Sequence, residues 1–168
     1  MKQHILFALL CCLFLGNSNA QDLKEFSPLV GKVWKAEGKW GDGSTFKQEV
    51  VFNYSLDSTL VIAKSKGFTN TEQSVYGDRN HGIRRYNHET KTIEFFEFDV
   101  FGGLTKGTVQ IADGNFMYQY QYGESVVTDM WEYIDENTYI FTVGSYDEGS
   151  WKQVYLKTTF YGTPISKE

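Results

Sequence analysis

The 168-residue chain holds twenty-one acidic and sixteen basic side chains, for a formal charge of −5, and Arg84-Arg85 is its one basic cluster. That balance excludes a surface built for phosphate backbones or anionic lipid, so no nucleic-acid partner is expected. Both cysteines, Cys11 and Cys12, lie in the N-terminal apolar stretch, which excludes disulfides, thiolate metal sites and cysteine nucleophiles from everything after residue 20.

Residues 1–20 have the three zones of a secretory signal: Lys2, an apolar run from Ile5 to Leu15, and the small-residue exit Ser18-Asn19-Ala20. The run is shorter than the ~20 residues a membrane-spanning helix needs. Cleavage after Ala20 is therefore expected, leaving residues 21–168 as one domain of a secreted or periplasmic protein. A single helical turn is the reading for Leu23–Phe26, and no longer helix-period segment follows.

From Leu29 onward the pattern is that of strands. LVGKVWKAEGKW, Leu29–Trp40, sets Gly31 three residues ahead of Trp34 and alternates thereafter. In Thr45–Tyr54, Phe46, Val50 and Phe52 share one face. In Asn115–Tyr122, Phe116, Tyr118, Tyr120 and Tyr122 oppose Met117, Gln119 and Gln121, which is period two without ambiguity. Trp151–Phe160 places Val154, Leu156 and Phe160 together. Nine breaks with turn chemistry separate the runs, at 41–43, 56–58, 70–71, 87–89, 102–103, 113–114, 123–124, 135–137 and 148–149, and so predict ten strands. A meander of that kind removes its two edges by closing on itself, so the expected fold is all-β, a single antiparallel up-and-down β-barrel. The competitor is a two-sheet sandwich, whose long crossovers these short connections do not favour.

Two stretches carry a family likeness. Gly31-x-x-Trp34 resembles the first-strand signature of lipocalins and the wider calycin group. YNHETKTIEFFEFDVFGG, Tyr86–Gly103, resembles a hairpin of secreted bacterial lipocalin-like domains of uncharacterised function, through Tyr86, Asn87, Lys91, Asp99 and Gly102; Trp131, Tyr139 and Trp151 fall where such domains place later aromatics. The resemblance implies a calycin barrel with Trp34 packed at its closed end. It also implies the habits of that group: binding small apolar molecules, sometimes haem, and occasionally catalysis.

Aromatic residues make up 17% of the chain and eleven are tyrosines, so a cavity lined by them offers flat walls with polar tips, suited to an amphipathic or ring-containing ligand, and the expected function is to bind a small apolar or amphipathic molecule. The plainer reading is a barrel filled by the same rings, free to act as a protein-interaction module. Tyr118, Tyr120, Trp131 and Phe141 are the expected walls. Arg84 and Arg85 must face opposite sides of a strand, and the inward one, Arg84 by preference, needs a partner among Asp99, Glu97 and Glu132 or the carboxylate of a ligand. The alternative leaves both arginines solvated near the strand end. Arg84 or Arg85, with Tyr118 or Tyr120 and Asp99 or Glu132 as acid and base, would also serve a decarboxylase-, cyclase- or isomerase-like enzyme. No G-x-S-x-G, H-E-x-x-H, P-loop or dinucleotide fingerprint is present. No metal site is expected: Asp78–Gly82 begins like a calcium loop, but Ile83 stands where that loop needs glycine. No cofactor is expected either, haem ligated by an inward His81 being the remote option. Oligomeric state is left open.

Overall fold

Ten antiparallel strands follow one another in the computed structural model, which describes residues 23–166. They are β1 (Lys32–Lys39), β2 (Thr45–Ser55), β3 (Leu60–Phe68), β4 (Tyr76–Asn87), β5 (Thr92–Asp99), β6 (Leu104–Ala112), β7 (Asn115–Tyr122), β8 (Ser125–Asp135), β9 (Thr138–Asp147) and β10 (Ser150–Pro164). The predicted export signal lies outside the described residues. Among the described residues, no helix is long and apolar enough to cross a membrane.

Each strand pairs with its neighbours in sequence, and β1 pairs with β10, Trp34 opposite Gly162, so the sheet closes into a ten-stranded barrel. The sandwich alternative is thereby set aside. All nine predicted breaks coincide with the connections between strands. The tightest illustrate why: Asp113 and Gly114 take φ values of 52° and 80°, the doubly left-handed geometry that lets a two-residue turn follow the twist of its strands.

Antiparallel succession gives the barrel two unlike ends. At one end a 3₁₀ turn, Leu23–Phe26, inserts Leu23 and Phe26 beneath the barrel, with Leu29 following them into the interior. Tyr54 donates from its hydroxyl to the carbonyls of Leu23 and Lys24, and the Trp34 indole N–H donates to Leu29 O at 2.9 Å. Above this plug the rings interlock. Phe26 meets Phe116 at 5.2 Å, Trp34 meets Tyr139 edge-on at 5.3 Å, and Trp131 stacks on Phe160 at 4.3 Å. Each such ring contributes about 2–3 kcal/mol on burial, so this end is where the fold is held.

Two irregularities adjust the inner face. The register of β9 with β10 shifts between Val154 and Leu156, and Val154, expected inside with Leu156 and Phe160, is turned out and exposed. A shift between β3 and β4 at Ser65/Lys66 leaves Arg79 without a Cα partner. Its guanidinium donates to Phe68 O and lies 5.2 Å from the ring of Phe101, at the end of the barrel opposite the plug.

Candidate functional site

Beneath that second end the interior is not filled. A cavity of about 170 Å³ lies there, between an aromatic side (Phe52, Phe95, Trp131, Phe141) and a polar side (Arg84, Glu97, Tyr118, Tyr120, Asp129), with Gln48, Asn80 and Thr105 also in its lining. An engineered apolar cavity of about 150 Å³ admits benzene, so this space suits one ring with a short substituent.

Alternation along β4 turns Arg84 inward and Arg85 outward, where Arg85 meets Glu94 at 2.8 Å. Arg84 is 6% exposed. Its guanidinium lies 5.6 Å from the Phe52 ring and 5.3 Å from the Tyr118 ring, and Nε donates to the Tyr118 hydroxyl at 3.4 Å. Nη1 approaches Glu97 Oε2 to 3.1 Å, yet the two are not aligned as a hydrogen bond, and neither atom has another partner. Asn80 Oδ1 is likewise buried without one. Six buried side-chain atoms lack a partner among the described residues: these three belong to residues lining the cavity, and the other three, Ser65 Oγ, Tyr139 Oη and Thr142 Oγ1, lie outside its lining. Gly82 makes the pairing possible: it stands opposite Glu97, and a Cβ there would collide with both the guanidinium and the carboxylate.

Across the cavity, β8 turns Val127, Asp129 and Trp131 inward. The Tyr120 hydroxyl donates to Asp129 Oδ1 at 3.1 Å. Burial pushes the Asp129 carboxyl up to about 7, against the pull of the Tyr120 bond, while Glu97 adds to the rise. Burial likewise lifts the Tyr118 and Tyr120 hydroxyls above their usual range, keeping both as donors at neutral pH. For Arg84 burial works against the charge, but Tyr118 and Glu97 more than offset it and its pKa is raised. The arrangement is a permanent cation, a carboxylate beside it, a second carboxyl able to gain or lose a proton near neutrality, and two phenols. That set can anchor a polar ligand or move a proton.

Tyr118, Tyr120, Trp131, Phe141 and Arg84 all line this one cavity. The solvated alternative for Arg84 does not hold, and the partner it finds is Glu97 rather than Asp99 or Glu132. Asp99 is not in the cavity lining: it ends β5 and accepts the N–H groups of Phe101 and Gly103, both at 2.8 Å, fixing the turn into β6. Glu132 falls on the opposite face of β8 from Asp129 and Trp131. His81 is exposed on the outer face of β4, in register with Lys64 and Phe98, so it does not supply the inward ligand that the haem option required. Asp129 was absent from the sequence-derived set, although VVTDMW, Val126–Trp131, places it two residues from Trp131 and hence on the same face.

No family model matches the sequence, and no curated protein matches it. Among solved structures the chain is similar to the S-type phycobiliprotein lyase CPES from Guillardia theta, at 11% sequence identity and a TM-score of 0.47, over 88% of this chain and 94% of that one. A likeness of that degree supplies neither family, ligand nor activity for this chain.

Proposed function

We propose that the protein is a binding protein that holds one small, ring-containing amphipathic molecule in the cavity opposite the plug. The observation behind this reading is the coexistence of a packed lower half with an upper space walled by aromatic rings on one side and by Arg84, Glu97, Tyr118, Tyr120 and Asp129 on the other. A filler core does not call for an arginine, two carboxyls and two phenols around an unfilled space, whereas an amphipathic ligand does. Lys2, the Ile5–Leu15 run and the Ser18-Asn19-Ala20 exit support action outside the cytoplasm, in secreted or periplasmic form.

The test is native mass spectrometry of the full chain expressed in an exporting host, after incubation with a metabolite extract and re-isolation. A mature mass for residues 21–168, accompanied by a retained small molecule that Val50→Trp excludes by filling the cavity, is the expected result. Retention of nothing by the wild-type protein, or equal retention by the filled variant, overturns the reading.

A further inference from the structure

The charges around the cavity are unequal. Arg84 on β4 is the one cationic side chain in its lining, against two acidic ones, Glu97 on β5 and Asp129 on β8. The titratable groups facing Asp129 from the elements around it are Tyr118 and Tyr120 on β7, Glu97 and Arg84; the lining from β2, β6 and β9 is Gln48, Val50, Phe52, Thr105 and Phe141, all uncharged. The other two arginines of β4 are turned away, Arg85 to Glu94 on the outer face and Arg79 to Phe68 O and the Phe101 ring.

An inward arginine invites the expectation of a ligand carboxylate. Here Glu97 Oε2 already sits 3.1 Å from Arg84 Nη1, so the positive charge is met within the protein. A ligand carboxylate would have to displace Glu97 or lie against it, and it would also face Asp129. A cation meets the reverse situation: among the described residues Asp129 has Tyr120 as its one hydrogen-bonding side chain, and the aromatic rings of Phe95 and Trp131 line the same space.

Resting on the small-ligand reading above, we propose that the cavity selects a small aromatic amine, its protonated nitrogen placed between Asp129 and Glu97 and its ring against Trp131 and Phe141. The buried arginine then has a defined task, which is to neutralise one of the two carboxylates so that the cavity holds a single net negative charge, matched to a monocation. The preference depends on acidity. Protonation of Asp129, whose carboxyl is pushed up to about 7 by burial, removes that net charge and with it the advantage of an amine.

Three probes of nearly one shape separate the possibilities: phenethylamine, phenethyl alcohol and phenylacetate, titrated calorimetrically into the purified protein at about pH 8.5 and about pH 5.5. The expected result at the higher pH is that the amine binds at least about tenfold tighter than the acid, the low end of what an opposite charge within a few ångströms is worth. Its lead should shrink at the lower pH. Asp129→Asn, close in shape, should abolish both the lead and its pH dependence. In the double variant Glu97→Gln, Asp129→Asn, Arg84 is left as the lone charge and the order should reverse in favour of phenylacetate. Equal binding of all three probes, or tighter binding of phenylacetate to the wild-type protein, overturns the charge selection while leaving the small-ligand reading in place. Binding of none of them, with the mass-spectrometric test also empty, overturns both. A double variant that still prefers the amine overturns the role given to the two carboxyls.

Discussion

Individual residues decide what the interior can hold. Parity along a strand required one of Arg84 and Arg85 to face inward, but the choice between them was not legible in the sequence. It depends on a closing register, including the shift at Ser65/Lys66, set by pairings far apart in the chain. Asp99 shows the converse. It has the parity of Glu97 two residues before it, yet β5 ends there and the Phe101 and Gly103 amides capture its carboxylate. Asp129, by contrast, was within reach of sequence reasoning, since it shares the face of Trp131. Its titration has a consequence for folding. In the unfolded chain an aspartate loses its proton near 3.8, whereas in the barrel it does so at about 7, so the native state binds the extra proton between those values. The stabilising contribution of protonated Asp129 is complete below about 3.8 and is lost as pH rises toward 7. Asp129→Asn should therefore raise stability above neutrality, by up to about 4 kcal/mol, and flatten the pH profile across that window, as measured by urea unfolding. An unchanged profile in the variant would show that Asp129 does not titrate there.

At the level of elements, the turns were the most legible part, because left-handed and capping positions demand particular residues such as Asp113-Gly114. The faces of β7 were equally plain from Phe116, Tyr118 and Tyr120, all inside, with Tyr122 carried beyond the interior and exposed. The inner face of β10 was harder to read, because the shift between Val154 and Leu156 reverses the parity on which any face assignment rests. The β1–β10 seam shows how tightly the elements fit: a Cβ on Gly162 would lie 2.8 Å from carbons of the Trp34 indole, which Leu29 O holds in place. Gly162→Ala should lower stability by about 1–3 kcal/mol through overpacking, seen as a reduced denaturant midpoint with an unaltered slope. Wild-type stability in this variant would mean that the indole moves aside freely.

For the molecule as a whole, closure is what the order of strands demands, since an open ten-strand sheet would leave β1 and β10 as bare edges. Deleting residues 159–168 removes Phe160 and the stretch of β10 paired with Lys32–Lys35. Such a chain should yield little soluble protein, and what remains should run as high-order species in size-exclusion chromatography; a soluble product with the native far-ultraviolet spectrum would show that closure is dispensable. That the barrel is solid below and hollow above could not be read from residue types, because aromatic rings occupy both halves. The rings of the stack, around Trp34, Tyr139 and Phe160, are not in the cavity lining, and the two halves share only residues such as Phe52, Trp131 and Phe141. On the proposed reading, folding and recognition fall to different storeys of one cylinder. Gln48, Asn80 and Thr105 can drift, and the barrel can acquire new tastes in what it takes up, without having to learn again how to stand.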